Sequence, residues 1–172
     1  MPDRIISPDS AGGILNLLPP FPVVLVTTRS NIITIGQIEY FTFSPLRIGI
    51  AVAHTRHTYL LLKKEHEFVI NVPEAEMVEA VKVCGSISGR DCDKFEVAGV
   101  TAEASLEVQA VSIAECRAHV ECRIEREIEF ERRTWFIGIV VAARCQEGFK
   151  GKRALLCGRN EYVVPGDFVA ER

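Results

Sequence analysis

The stretch IGIAVAHTRHTYLLLKKEHEFVINVP, which runs from Ile48 to Pro73, places a strand, a polar cluster, a helix and a second strand in immediate succession. Its aliphatic and β-branched runs at 48–53 and 68–72 are typical of buried strands. The residues between them, 58–65, favour a short helix, and Thr58 is the residue predicted to cap it. The rest of the fold is predicted to be organised around this strand–helix–strand unit.

The polar cluster Arg56, His57 and Thr58 lies where the first of these strands ends and the helix begins. The first turn of a helix exposes unpaired N–H groups and carries partial positive charge. A guanidinium and a hydroxyl group at the same place suit a bound phosphate. The alternative is a capped helix with a solvated arginine, and these residues alone leave both interpretations open.

A second polar stretch, SISGRDCDKF, occupies residues 86–95. Ser88, Arg90 and Lys94 in this glycine-bearing segment suit the binding of a polar ligand, because binding sites are commonly built on such loops. The same basic groups, together with Asp91 and Asp93, are equally compatible with a surface network of ion pairs that adds little stability.

A third candidate is NIITIGQI, residues 31–38, which is predicted to form a strand antiparallel to the preceding run VVLVTT. Gly36 lies inside it, and a glycine within a strand marks either a simple bulge or a place where another group approaches the backbone closely. In the second case, Asn31 and Thr34 would offer an amide and a hydroxyl group to the polar edge of a flat ring.

The remaining strand signals predict a mainly β fold. Residues 111–125 alternate apolar and polar side chains, which is typical of an antiparallel strand with one buried and one wet face. Residues 134–143, TWFIGIVVAA, are apolar on both faces and are therefore expected at the centre of a sheet. About seven strand candidates with two or three short helices predict a closed or nearly closed antiparallel barrel, with the helices at its rim.

The composition describes a globular chain of 172 residues with 48% hydrophobic residues and a formal net charge of −3. We expect one domain over residues 1–172, with 1–10 as a loose N-terminal arm. The charge argues against a nucleic-acid partner. The apolar runs are shorter than the roughly 20 residues that span a bilayer, and the first residues lack the apolar core of a secretion signal. A cytoplasmic protein that binds no membrane is therefore expected.

No metal site is predicted. The six cysteines include no C-x-x-C pair, and His54, His66 and His119 show no ligand spacing. We expect the cysteines to be buried residues or free thiols rather than disulfides. The sequence also lacks the G-x-S-x-G, P-loop and G-x-G-x-x-G motifs.

Taken together, these stretches resemble the flavin reductase-like family, whose members have the FMN-binding split-barrel fold, and within it the flavoredoxin-like branch. The matching pieces follow one another in the order PVVLVTT, NIIT, RHTY, EFVINVP, CGSISGRDCDKF, AGVT, ECRAHVECRI and TWFIGIVV. The segment CG-x-x-SGRD-x-DKF followed by GVT is the most specific of them. The resemblance implies a six-stranded antiparallel barrel of Greek-key type with flanking short helices, a homodimer, and FMN held near the subunit interface.

The resemblance also implies a set of cofactor-binding residues. By position, the ring of FMN would be lined by Asn31, Thr34 and the backbone of Ile35 and Gly36. The phosphate would be held by Arg56 and Thr58 with neighbouring amides such as that of His57, and the cofactor would be covered by Ser88, Arg90 and Lys94. The sequence departs from the family pattern at Gly36–Gln37 and at Pro45–Leu46.

The function implied is that of an oxidoreductase that moves electrons from NAD(P)H or another donor through bound FMN to an acceptor. No catalytic side chain is expected, because the flavin itself carries the chemistry. One alternative is an FMN-binding electron carrier without NAD(P)H activity of its own. Another is a barrel that has lost its cofactor, to which the departure at Gly36 and Gln37 points.

Overall fold

The computed structural model of the chain describes residues 6–15, 17–149, 153–158 and 161–166. Residues 1–5 of the predicted N-terminal arm lie outside this range. The helices are α1 (Ala11–Leu15), α2 (His57–Glu65), α3 (Val78–Ser86) and α4 (Lys94–Ala98). The strands are β1 (Phe21–Pro22), β2 (Val24–Thr27), β3 (Ile32–Ile35), β4 (Ile38–Phe43), β5 (Leu46–Ala53), β6 (Glu67–Asn71), β7 (Ala102–Glu103), β8 (Ser112–Ile113), β9 (Ala118–Phe130), β10 (Arg133–Cys145), β11 (Leu156–Cys157) and β12 (Tyr162–Val163).

The main sheet has seven strands in the order β3-β2-β6-β9-β10-β5-β4, and all neighbouring strands in it are antiparallel. The long hairpin of β9 and β10 lies inside this sheet, which confirms the central position predicted for residues 134–143. The predicted mainly β fold, a barrel-like antiparallel sheet with short flanking helices, is confirmed. The sheet has one strand more than the six that the resemblance implies.

The link between β3 and β4 accounts for both the extra strand and the curl of the sheet. Only Gly36 and Gln37 separate these two strands in the chain, yet the strands lie at opposite edges of the main sheet. Neighbouring strands are about 4.8 Å apart, so a two-residue link cannot cross a flat sheet of this width. The sheet therefore curls until its two edges approach each other at this link. The Ala51 N–H donates to the Gln37 carbonyl at 3.0 Å, which extends the pairing of β4 with β5 up to the link. The expectation of one continuous strand over 31–38 is wrong.

Two apolar cores cover the two faces of this curled sheet. Alternate residues of β2 serve both, since Val24 and Val26 pack inside the barrel whereas Leu25 packs on the outer side. The inner core includes Ile50, Phe68, Ile70, Cys122 and Phe136, and the outer core includes Ile32, Val81, Cys84, Ile113 and Leu155. Because α3 lies in the outer core, it is held close to β3 at one end of the barrel.

Strand β9 is shorter at its start and more deeply buried than the alternation over 111–125 predicts. The chain turns after β8, and β9 begins only at Ala118. His119 and Glu121, expected on a wet face, are 5% and 0% exposed. Backbone N–H groups of the loop 106–108 donate to the Glu121 carboxylate, so this loop covers the face and replaces water there.

Of the helices in the described ranges, none combines the length and the apolar character that crossing a bilayer requires.

Candidate functional site

A cavity of about 140 Å³ lies where α2 begins. Its wall brings together the two polar clusters that the sequence analysis singled out, at 56–58 and at 88–94. Asn31 and Ile33, at the start of β3, complete the wall. The lining consists of Asn31, Ile33, Thr55, Arg56, His57, Thr58, Ile87, Ser88, Gly89, Arg90 and Lys94.

The start of α2 presents free amides to this cavity. Arg56 occupies the N-cap position with extended backbone angles, and no side chain that the structure describes caps the helix. The prediction that Thr58 caps α2 is wrong: Thr58 lies within the first turn, is 1% exposed, and accepts a hydrogen bond from the Asn31 amide at 2.8 Å. A helix start without a side-chain cap leaves backbone N–H groups available to an anion.

The cavity is strongly cationic. Arg56, Arg90 and Lys94 line it, and none of the described residues that line it is acidic. In the part of the chain that the structure describes, none of these three cations takes part in an ion pair. Asp93 is occupied as the N-cap of α4, where its carboxylate accepts the Phe95 N–H at 2.8 Å. The surface ion-pair network considered for this stretch is therefore not formed, and the charge favours an anionic ligand.

Lys94 forms the floor of the cavity. It is 5% exposed, and its ammonium group donates to the carbonyls of Ile32 and Cys84, each at 2.8 Å. Burial lowers the pKa of Lys94 from its ordinary value of 10.5, and the nearby charge of Arg56 lowers it further. An ammonium group has three N–H donors, so one remains for a ligand. Burial raises the pKa of the Cys84 thiol to about 11, which makes it an unreactive neighbour.

The loop after α3 closes the cavity because Gly89 has no side chain. A Cβ atom at this position would collide with the carboxamide of Asn31, which is itself 3% exposed and held by Thr58. Arg90 is exposed, and its guanidinium reaches back to the Thr55 carbonyl at 3.4 Å. The glycine thus lets the loop carrying Ser88 and Arg90 lie directly against the start of α2.

One buried polar atom at this cavity has no partner. His57 Nδ1 is shielded from solvent and makes no hydrogen bond to any residue that the structure describes. Buried nitrogen atoms rarely lack a hydrogen-bond partner, so an unpartnered one suggests that a partner is missing from the structure. A ligand in the cavity that His57 lines would provide one.

The remaining predicted residues lie elsewhere along β3. Successive side chains of a strand point to opposite faces, so Asn31 and Thr34 cannot both face one ligand. Thr34 points to α3, where its hydroxyl donates to the Val81 carbonyl at 2.5 Å, and Ile35 is buried in the inner core. Ile33, two residues after Asn31, lines the cavity instead. This residue could have been predicted from the sequence, because side chains two residues apart on a strand point to the same face.

Gly36 lies at the far end of β3 and lines a second cavity, of about 300 Å³. At the 3.2–3.4 Å rise of a strand, the five residue steps from Asn31 to Gly36 span roughly 16 Å. The second cavity is walled by Leu15, Phe21, Gln37, Cys157 and Gly158 together with Gly36. The predicted phosphate-binding residues thus line one cavity. The predicted ring-binding segment runs from Asn31 at this cavity to Gly36 at the second cavity.

Comparison with known proteins shows the fold and the family of this chain. An uncharacterized protein of Archaeoglobus fulgidus is 33% identical over 140 residues, which cover 80% of this chain and 79% of that protein. Two flavoredoxin structures share the fold: that of Desulfovibrio vulgaris has a TM-score of 0.82 at 24% identity and covers 90% of this chain and 91% of its own. That of Methanosarcina acetivorans has a TM-score of 0.86 at 22% identity, with 99% and 95% coverage. The flavin reductase like domain model matches residues 18–164, so this chain belongs to the flavin reductase-like family.

Proposed function

We propose that this protein is a flavin-dependent oxidoreductase that binds FMN, with the phosphate in the cavity at the start of α2. One observation carries the proposal: three cations without acidic partners and a helix start without a side-chain cap line the same small cavity. A phosphate monoester matches such a site, because it carries close to two negative charges and several strong acceptor oxygens at neutral pH. The unpartnered His57 Nδ1 adds a further group for it.

The protein's own residues would bind and orient the cofactor. Arg56, Lys94 and the first amides of α2 hold the phosphate, while Asn31 fixes Thr58 beneath it. The backbone of β3 towards Gly36 would hold the rest of the cofactor. In the described part of the main sheet β3 is an edge strand, so backbone groups on its outer side are free to donate to the polar edge of the ring. Bound FMN supplies the hydride or electron transfer.

We propose NAD(P)H or another reduced carrier as the electron donor, which makes a flavin-binding electron carrier the alternative function. Steady-state oxidation of NADH and of NADPH by the FMN-loaded protein separates the two. Turnover with either nucleotide supports the oxidoreductase. Fast reduction by a protein donor without turnover of either nucleotide supports the carrier.

We also propose a cellular compartment and an oligomeric state for the protein. All six cysteines are unpaired, which suits the reducing cytoplasm rather than an oxidising compartment. A homodimer is also proposed, and the exposed aromatic side chains of the edge strand β4 support it.

Replacement of the phosphate-binding arginine tests the proposed site. We expect Arg56→Ala to weaken FMN binding about ten- to a hundredfold, since a charge-assisted hydrogen bond contributes about 1.5–3 kcal/mol. Riboflavin lacks the phosphate, so its affinity should change less than about twofold. Titration of both ligands by flavin fluorescence measures the difference.

Arg126→Ala serves as the matched control, because Arg126 is an exposed arginine of β9 outside this cavity. It should leave the affinity for both ligands unchanged. Equal losses for FMN and riboflavin in Arg56→Ala, or no FMN binding by the unaltered protein, would contradict the proposed function.

A further inference from the structure

A third cavity, of about 220 Å³, lies at the open end of the long hairpin, where β9 begins and β10 ends. The register of the hairpin sets His119 of β9 opposite Arg144 of β10, and opposite residues of an antiparallel pair extend to the same face of the sheet. Glu103 of β7 lines the same cavity, and its carboxylate pairs with the Arg144 guanidinium. Among the residues that the structure describes, none lines both this cavity and either of the two cavities above.

Arg144 holds an unused hydrogen-bond donor at the third cavity. Its Nε atom is shielded from solvent and makes no hydrogen bond to any residue that the structure describes, although the same guanidinium pairs with Glu103. A buried donor without an acceptor costs free energy, which a ligand oxygen would recover. Because a guanidinium binds a carboxylate through charge-assisted hydrogen bonds, a carboxylate is the group that suits this position.

His119, which is 5% exposed, supplies the complementary group, a hydrogen-bond acceptor. The Asn71 amide nitrogen donates to the Leu25 carbonyl at 3.0 Å, which fixes the orientation of the carboxamide. The Asn71 oxygen accepts the Ile113 N–H and lies 2.9 Å from His119 Nδ1, so Nδ1 carries a proton and donates to it. Burial lowers the pKa of His119 from its ordinary value of 6.5, and the nearby charge of Arg144 lowers it further. In the neutral imidazole the other nitrogen, Nε2, is an acceptor for an N–H group of a ligand.

The third cavity carries both signs of charge, unlike the cationic cavity at the start of α2. Arg144 and Glu103 are its positive and negative groups, and the charge of Arg117, which also lines it, is offset by Glu74 at 3.0 Å. A zwitterion matches such a wall, because its carboxylate and its ammonium group each meet a group of opposite charge. The volume has room for about seven molecules the size of water, at about 30 Å³ each, so the zwitterion must be small.

We propose that the third cavity, with Glu103, His119 and Arg144 in its wall, is a binding site for a small α-amino acid. The carboxylate of the ligand accepts a hydrogen bond from Arg144 Nε. Its ammonium group donates to the Glu103 carboxylate and to His119 Nε2. The site goes beyond the proposed flavin function and does not rest on it, since it uses other residues and takes a different class of ligand.

Calorimetric titration of the unaltered protein with L-alanine, propionate and ethylamine at pH 7 tests the site. Propionate lacks the ammonium group of L-alanine, and ethylamine lacks its carboxylate. We expect L-alanine to bind saturably and each fragment to bind at least about tenfold more weakly, because each loses one set of charge-assisted hydrogen bonds. No binding of L-alanine, or equal affinities for L-alanine and propionate, would overturn the proposal.

Two variants separate the two ends of the ligand. Arg144→Gln should weaken the binding of L-alanine at least about tenfold, since it removes the positive charge that holds the carboxylate. Glu103→Gln should also weaken the binding of L-alanine about tenfold, yet the affinity for propionate should stay the same or rise, because propionate has no ammonium group to lose. Equal losses of both ligands in Glu103→Gln would overturn the assigned contacts.

Arg47→Gln is the matched control, since Arg47 is also a strand arginine paired with a glutamate, Glu125 at 2.6 Å, and does not line this cavity. It should bind L-alanine as the unaltered protein does, and far-UV circular dichroism should give the same spectrum for every variant. A loss in Arg47→Gln equal to that in Arg144→Gln would overturn the site. The titrations contain no flavin, so their failure is distinguishable from a failure of FMN binding.

Discussion

At the scale of single residues, Lys94 joins the fold to the candidate site. Its ammonium group ties the end of α3 to β3 through the carbonyls of Cys84 and Ile32. The same group lines the cavity at the start of α2. A buried ammonium group is costly unless it is hydrogen-bonded, and the two carbonyls meet most of that need. The remaining N–H gives the site a positive charge whose position is fixed by the fold.

The lowered pKa of Lys94 leads to a pH dependence of FMN binding. A phosphate dianion favours the protonated amine and so raises the pKa of Lys94 in the complex above that in the free protein. Between these two values the affinity falls as pH rises, by up to about tenfold per pH unit. Because burial lowers the pKa of Lys94 in the free protein, the fall should begin below its ordinary value of 10.5.

The measurement is the ratio of the FMN and riboflavin dissociation constants between about pH 7 and pH 11, a range in which the phosphate stays dianionic. Riboflavin is the control, since it shares the ring and its titration but not the phosphate. A ratio that stays constant over this range would show that Lys94 does not contact the phosphate.

At the scale of secondary-structure elements, two buried carboxylates attach a loop to the sheet. Glu121 of β9 accepts the N–H groups of Leu106 and Glu107 at 2.8 and 2.7 Å. Glu67 of β6 accepts those of Gln109 and Ala110 at 3.0 Å each. These contacts satisfy the backbone of a loop that has no strand partner there, and they explain why an acidic residue lies on a covered face of β9.

We expect Glu121→Gln to lower the free energy of unfolding by about 2–4 kcal/mol. The carboxamide presents an NH₂ group to backbone donors, so at least one buried N–H loses its acceptor. Glu125→Gln is the matched control on the same strand: Glu125 pairs with Arg47 at 2.6 Å near the surface, and its loss should cost less than about 1 kcal/mol. Urea denaturation measures both variants, and equal effects would contradict this account of the loop.

At the scale of the whole molecule, the curled sheet leaves one edge strand with exposed apolar side chains. Tyr40 and Phe43 of β4 are 60% and 76% exposed, and Ile128 and Phe130 of the long hairpin are also exposed. Exposed edge strands with large apolar side chains tend to associate with another chain. A second copy of this chain is the partner proposed for this surface.

Sedimentation equilibrium should therefore give a mass of twice the 19.1 kDa of the single chain. Phe43→Lys should shift the mass towards that of the monomer, because a charge replaces the most exposed aromatic side chain of β4. Leu106→Lys is the control, since Leu106 is also exposed, at 63%, but belongs to the loop held by Glu121. A monomeric unaltered protein, or dissociation by both variants alike, would contradict the proposed interface.

Local sequence determined the nature of most elements in this protein. The apolar runs at 48–53, 68–72 and 134–143 predicted strands, and the strands exist there as β5, β6 and β10. The helix over 58–65 begins one residue earlier than predicted. These features could be read from the sequence because strand and helix periodicity depend on neighbouring residues alone.

Only the tertiary structure decided which elements meet. It brought the 56–58 cluster against the 88–94 loop, turned Thr34 towards α3, and buried Glu121 beneath a loop. It also showed that Gly36 links two edges of a curled sheet rather than lying within a strand. The physical reason is that periodicity records which side of an element is covered but not what covers it, and contacts between residues distant in the chain depend on how the whole sheet closes.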